Sequence, residues 1–375
     1  MIYWDHNSTT PCAPEVVEAM QRYWNEEYGN PSSAHLMGRR AAAAVRTARE
    51  QVAALANALP AEIIFTSGAT ESNNLLFLGV LLTPRSGRKR IAVSAIEHKS
   101  VLEPAHMLEQ HGFELVILPV NNDGVTDIES ARRMINEETL LVSVQAVNNE
   151  LGTIQPVAEL AEIAHNNGAY FHTDAAQALG KIPFDVQQVN CDFASFSAHK
   201  MYGPKGIGTL YVRGGARRWP WGTPFRGGGQ EAGLRPGTSN VPAIVGFGKA
   251  CELCGTSLTK NNQHLHLLTG QFAEMLLKRF PRAVILNRQP NSVPGTLSVL
   301  FEGIPSDLLL ARCKSINLSK GSACNGIMEA SHVIKAIIAE PNRQEAVVRI
   351  SFGRNSGSEG FEQFFEILNT IEQEL

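Results

Sequence analysis

The feature that most narrows what this chain can fold into is a rhythm between residues 61 and 213. There, apolar runs of strand length alternate with helix-like segments and short turns rich in Gly, Asn and Asp. The runs fall at 62–66, 91–95, 114–118, 140–147, 169–172, 192–196 and 208–212. Most are separated by stretches such as 156–166, long enough for the crossover helix that parallel neighbours require. The pattern predicts an α/β fold built on a mostly parallel seven-stranded sheet.

Beyond the Gly-rich stretch 227–237 the period changes to a long helix from 241 to about 280. Short strands follow at 296–301 and 347–351, and a last helix starts at 359. This predicts a second, smaller α+β domain, with 15–250 forming the large domain and 1–14 together with 251–375 the small one. A length of 375 residues agrees with two domains at about 150 residues each. The sequence has no internal repeat, charge block or low-complexity linker, so the two are expected to pack directly on each other.

Charge and hydropathy exclude several partners. The 33 Lys+Arg against 36 Asp+Glu leave a net charge of −3, which exerts no general pull on phosphate backbones, and direct nucleic-acid binding is not expected. The apolar stretch 75–82 is far short of the ~20 residues that span a bilayer. Met1 to Pro11 has neither a basic nor an apolar leader region, so the expected location is the cytoplasm, away from membranes.

Six cysteines in so long a chain are too few for a disulfide framework and are read as thiols. Cys12, Cys191 and Cys313 lie in or beside apolar segments and are expected in the core. Cys251 and Cys254 fall within the predicted long helix, and His264 and His266 stand at the wrong spacing for a zinc finger, so no metal is expected.

Ligands of open α/β sheets gather at the carboxyl ends of the strands. Here those ends read Ser67-Gly68-Ala69-Thr70-Glu71, Glu97-His98-Lys99, Asn148-Asn149-Glu150, Asp174-Ala175-Ala176-Gln177 and Ser197-Ala198-His199-Lys200. The first joins a strand to a helix, where the unpaired N–H groups and the Thr70 hydroxyl suit a phosphate. No Walker motif or convincing dinucleotide fingerprint occurs, which disfavours a nucleotide.

Lys200 follows a buried strand, where a desolvated amine can condense with a carbonyl, and Asp174 stands where a carboxylate could keep a pyridinium nitrogen protonated. Singly, each has an ordinary alternative as a cap, a turn residue or a solvated loop. Together they describe a phosphate cradle, an aldehyde-trapping amine and a ring-nitrogen partner on one rim.

Further phrases extend the set: Tyr3-Trp4-Asp5-His6-Asn7-Ser8-Thr9-Thr10-Pro11, Gly29-Asn30-Pro31-Ser32-Ser33, Ser72-Asn73-Asn74, Gly227-Gly228-Gly229-Gln230-Glu231, Arg235-Pro236-Gly237-Thr238, Gly321-Ser322-Ala323-Cys324 and Arg349-Ile350-Ser351. With these, the chain resembles the cysteine desulfurases, in the class V aminotransferase group of fold type I pyridoxal-phosphate enzymes, nearly end to end.

The resemblance implies pyridoxal 5'-phosphate held covalently by Lys200, with Asp174 at the pyridinium nitrogen and Gln177 at the ring hydroxyl. It implies that Ala69, Thr70, Ser197 and His199 surround the phosphate, that Asn149 contributes to the cofactor site, and that Thr238 reaches the phosphate of a partner subunit in a homodimer. His98 would stack on the ring and serve proton steps, the alternative being a plain helix cap. Arg349, assisted by Asn149, would grip the carboxylate of L-cysteine.

Cys324 would attack the substrate sulfur, leaving L-alanine and a persulfide for an acceptor protein, with Lys320 or His332 favouring its thiolate. The rivals are a selenocysteine or cysteine-sulfinate lyase, an aminotransferase of the same fold, and a non-catalytic assembly subunit. The short stretch beyond Arg349, and Asn325-Gly326 in place of the family's more usual Thr-Ser, favour a dedicated acceptor. DNA phosphorothioation or thionucleoside synthesis fits that expectation better than general iron–sulfur cluster assembly.

Overall fold

Runs of Ile, Val, Leu and Phe buried on both faces can be satisfied only inside a sheet covered on both sides. The computed structural model, which describes residues 1–83, 87–287, 291–321 and 331–375, contains such a sheet. In chain order the strands are β1 (Ile2–Tyr3), β2 (Ile63–Thr66), β3 (Arg90–Ser94), β4 (Glu114–Leu118), β5 (Thr139–Ser143), β6 (Tyr170–Asp174), β7 (Phe193–Ser197), β8 (Gly208–Val212), β9 (Ala283–Ile285), β10 (Thr296–Phe301), β11 (Ile316–Asn317) and β12 (Val347–Ser351).

The large sheet has seven strands in the order β2-β8-β7-β6-β5-β3-β4. Strands β3 to β7 run parallel, and β8 lies antiparallel between β7 and β2. The mostly parallel seven-stranded sheet expected from the sequence is therefore present. The boundaries differ in an instructive way. The strand within the run 140–147 ends at Ser143, although the Val144 and Ala146 N–H groups still donate to the His172 and Asp174 carbonyls of β6, and Gln145 hydrogen-bonds Glu97 and Ile96. Strands β6 and β7 run on to Asp174 and Ser197, so these polar residues are strand termini rather than the first residues of the following turns.

A three-stranded antiparallel sheet, β12-β10-β9, and a parallel pair, β1-β11, make up the other layer. The chain start belongs here: Trp4 is buried against Phe272, Phe352, Phe361 and Phe364, and the Ser351 N–H donates to the Trp4 carbonyl at 2.8 Å. The 39-residue helix Val241–Arg279 serves both layers. Its first half, including Phe247, Cys251 and Cys254, joins the core beneath the large sheet, and Phe272 and Leu276 join the core around Trp4.

Cys191 and Cys313 are buried as expected, whereas Cys12 is half-buried. Cys251 and Cys254 are core residues, and no group of His, Cys, Asp or Glu among the described residues could hold a metal. No helix among the described residues is long and apolar enough to cross a membrane.

Because Trp4 fills a ring of aromatic edges, Trp4→Ala leaves a cavity that such rings cannot close. It should lower unfolding stability by roughly 3–5 kcal/mol, read as a shift in the urea midpoint at unchanged slope.

Candidate active site

A cavity of about 360 Å³ opens at the carboxyl ends of β2, β3, β5, β6 and β7. Residues from all five strand-end phrases line it: Ala69 and Thr70, His98, Asn149, Asp174 and Gln177, and Ser197, His199 and Lys200, joined by Arg349 from β12. Thr238 is exposed and outside this lining, and Cys324 lies outside the described residues.

The cradle is shaped by two glycines. Gly68, at φ +155°, turns the chain from β2 into the helix Ala69–Leu81, whose first N–H groups have no partners within the helix. Gly208 passes directly beneath it: a Cβ there would stand 2.6 Å from the Gly68 Cα. Glu71 would oppose an anion at this spot, but it accepts from Ser67 N–H at 2.9 Å and from Arg235 Nε at 2.8 Å, which satisfies its charge. His199 donates to or accepts from Thr9 Oγ1 at 3.1 Å, and burial, with Lys200, Lys205 and Lys181 nearby, lowers it to about 4, so the ring is neutral.

Lys200 points its amine at the start of the chain, donating to the carbonyls of Asn7 and Ser8 at 2.8 Å each. The Asn7 carbonyl also accepts from Gln177 Nε2 at 2.8 Å. A second amine, Lys181, donates to Asn7 Oδ1 at 2.8 Å and to Gln177 Oε1. Its pKa falls well below that of an ordinary lysine, through burial first and then the positive charges of Lys200 and Arg349. Sequence reasoning missed Asp5, Asn7, Ser8 and Lys181 as site residues. The N-terminal phrase was visible, but nothing local says that it docks against residues nearly 200 and 350 positions away.

Asp174 accepts from Ala176 N–H at 3.0 Å and from Asn73 Nδ2 at 2.8 Å, an arrangement that suits an ionised carboxylate facing the cavity. His98 combines the two readings open to it. It caps the helix Lys99–Gln110 by accepting from Ser100 N–H at 3.1 Å, and it lines the cavity. Burial outweighs Asp174 and, with Lys200, His332 and Lys99, lowers its pKa.

Arg349 is 1% exposed. It donates to Asp5 Oδ1 and Ser8 Oγ at 2.6 Å and to the Asn149 carbonyl at 2.8 Å, while its Nε is buried with no partner among the described residues. Lys320 is paired with Asp307, and His332 Nε2 donates to the Glu97 carbonyl at 2.8 Å.

Glu97 itself is fully buried: one carboxyl oxygen accepts from Gln145 N–H at 2.6 Å and the other has no partner among the described residues. Burial pushes its pKa well above the ordinary 4.5, so the folded protein keeps the proton that the unfolded chain releases. Stability contributed by this group is present at acidic pH and lost as pH rises above the unfolded value. Glu97→Gln should therefore gain stability relative to the parent as pH is raised from about 5 to about 8, measured by urea midpoints across that range. A constant difference would refute the protonated state.

Residues 2–364 match the class-V aminotransferase family. Among characterised proteins, the chain is 38% identical over 377 residues to a cysteine desulfurase IscS of Dictyoglomus turgidum, covering 100% of this chain and 95% of the other. Among solved structures it is similar to a NifS-like protein, with a TM-score of 0.92 at 37% identity and full coverage of both chains. It is also similar to SspA in complex with cysteine, with a TM-score of 0.82 at 35% identity, covering 95% of this chain and 100% of the other. The strand-end constellation and these similarities agree: the chain belongs to the class-V aminotransferase family and, within it, to the pyridoxal-phosphate-dependent cysteine desulfurases.

Proposed function

We propose that this chain releases sulfur from L-cysteine as a persulfide on Cys324, forms L-alanine, and hands the sulfur to an acceptor protein. The observation that carries the reading is the buried Arg349 Nε, without a partner among the described residues, beside a cavity also lined by Lys200 and Asp174. A buried guanidinium donor left unpaired is costly unless a ligand completes it, and an amino-acid carboxylate can accept from it.

The cavity fits pyridoxal phosphate on its own chemistry. The Gly68 turn offers open N–H groups at one end, Ser197 and His199 stand beside it, and Asp174 supplies a carboxylate already stabilised by two donors. When bound, the cofactor supplies an electron-withdrawing ring that takes up the charge released at the substrate's α-carbon.

The chain's residues do the rest. Lys200 would hold the cofactor at its aldehyde, Gln177 would stand at its ring hydroxyl, and Ala69, Thr70, Ser197 and His199 would surround its phosphate. Arg349 and Asn149 orient the substrate, and His98 offers it the ring edge that Ser100 leaves uncovered. The Cys324 thiolate attacks the substrate sulfur; the S–S bond forms as the Cβ–S bond breaks, and the electron pair stays with the alanine carbon skeleton. We further propose a cytoplasmic homodimer in which the exposed Thr238 reaches the partner's phosphate, with 15–250 as the cofactor domain and 1–14 with 251–375 as the smaller one.

Lys200→Ala should abolish the visible absorbance of bound cofactor together with alanine formation. Cys324→Ser should keep the absorbance and stop alanine release, while Arg349→Lys should raise KM for cysteine roughly 10- to 100-fold. Normal turnover by Cys324→Ser would exclude the persulfide route and favour a lyase or aminotransferase of the same fold. The acceptor we propose is a dedicated one, in DNA phosphorothioation or thionucleoside synthesis, supported by Asn325-Gly326 after the cysteine. Sulfur-loaded protein should then capture a partner other than an iron–sulfur scaffold, and capture of the scaffold alone would overturn that choice.

A further inference from the structure

Asn73 sits one helical turn after the cradle, fully buried, and its side chain is bound in an unusual way. Its Nδ2 spans two acceptors, Asp174 Oδ2 at 2.8 Å and Ser100 Oγ at 2.9 Å, while its Oδ1 is buried with no partner among the described residues. Turning the amide over would set its oxygen against the carboxylate, so the observed orientation is dictated by Asp174. An asparagine kept for packing alone would have its oxygen satisfied. The orphaned oxygen indicates a side chain retained for what its nitrogen reaches.

Ser100 carries the contact onward. Its hydroxyl lies 2.8 Å and its backbone N–H 3.1 Å from His98 Nδ1. A backbone N–H can only donate, so Nδ1 is an acceptor and the neutral ring carries its proton on Nε2. Because Asn73 donates to the Ser100 oxygen, the Ser100 proton remains available for the same Nδ1. Protonating His98 at Nδ1, or moving its proton there, would break the contact from the Ser100 N–H and reverse the one to its hydroxyl, leaving the Ser100 proton without the Nδ1 acceptor.

We propose that Asn73 and Ser100 are positioning residues that hold His98 in the neutral tautomer with its proton on Nε2, so that the ring meets the substrate with that proton available. The inference rests on the cavity being the desulfurase site and refines the acid/base role that the family resemblance implies for His98. The groups facing His98 act in opposite directions. Asp174 from β6 favours a charged ring, whereas Lys200, His332 and Lys99 oppose it, and burial opposes it most. The Ser100 cap adds a specific restraint on Nδ1 that none of these charges supplies.

Heteronuclear NMR of the imidazole nitrogens, in protein with and without pyridoxal phosphate, tests this, with the His98 signals assigned by their loss in His98→Gln. In the parent protein, Nδ1 should show the signature of an acceptor and Nε2 that of a protonated nitrogen throughout the neutral range. In Ser100→Ala the share of the Nε2–H tautomer should fall to a mixture, and the ring should protonate at higher pH than in the parent. Ser100→Thr, which keeps the hydroxyl, should restore the parent behaviour, and Asn73→Ala should move in the same direction as Ser100→Ala.

A parent ring protonated on Nδ1, or a tautomer unmoved by Ser100→Ala, would overturn the proposal. Cofactor absorbance and alanine formation, measured on the same samples, report separately on the desulfurase reading, so the two failures are distinguishable.

Discussion

The site depends on a set of positive charges drawn inward against the chain's own carbonyl groups. Lys200 rests on the carbonyls of Asn7 and Ser8, Lys181 on the side-chain oxygens of Asn7 and Gln177, and Arg349 on Asp5, Ser8 and the Asn149 carbonyl. Cations removed from water are tolerated only where fixed dipoles or opposite charges replace the lost hydration. Here the carboxylate of Asp5 and several carbonyl oxygens do so, and Asp174 faces the same cavity. Binding and fold stability are coupled here, because the same oxygens that hold the amines also hold the N-terminal segment in place.

That segment is positioned by packing remote from the chemistry. Trp4 anchors the chain start in the aromatic core beside β12, and from there Asp5, Asn7 and Ser8 project toward the large sheet. The helix Val241–Arg279 contributes to the cores of both layers, and Arg349 of β12 lines the same cavity as Lys200, three residues beyond the end of β7. Recognition of a carboxylate by a fixed guanidinium requires such an arrangement to hold within a fraction of an ångström, so a scaffold spanning both layers is part of the site's chemistry.

Much of this was legible in the residues. The alternation of apolar runs with helical segments reflects local periodicity and burial, and β2 to β8 appear where it places them, with ends shifted by a few residues. The shift at 140–147 arises because a buried apolar run reads the same whether or not its pairing is complete, and past Ser143 Val144 and Ala146 still donate to β6 while Gln145 bonds Glu97 and Ile96 instead. His98 illustrates a different limit. As an N-cap and a cavity residue it satisfies two readings at once, and the choice between them was never a choice in the folded chain.

The sequence by itself determined the sheet type, the residues offered at each strand end and, through the combined phrases, the family. Those features follow from short-range period, propensity and turn chemistry, which neighbouring residues carry among themselves. The tertiary structure alone decided that Asn7 would receive Lys200 and Gln177, that Lys181 would lie among other cations, and that Lys320 would pair with Asp307. It also decided which nitrogen of His98 accepts a hydrogen bond. Each of these depends on directions and distances between groups that chain order leaves open, and hydrogen bonds and burial energies are set by such distances rather than by separation along the backbone.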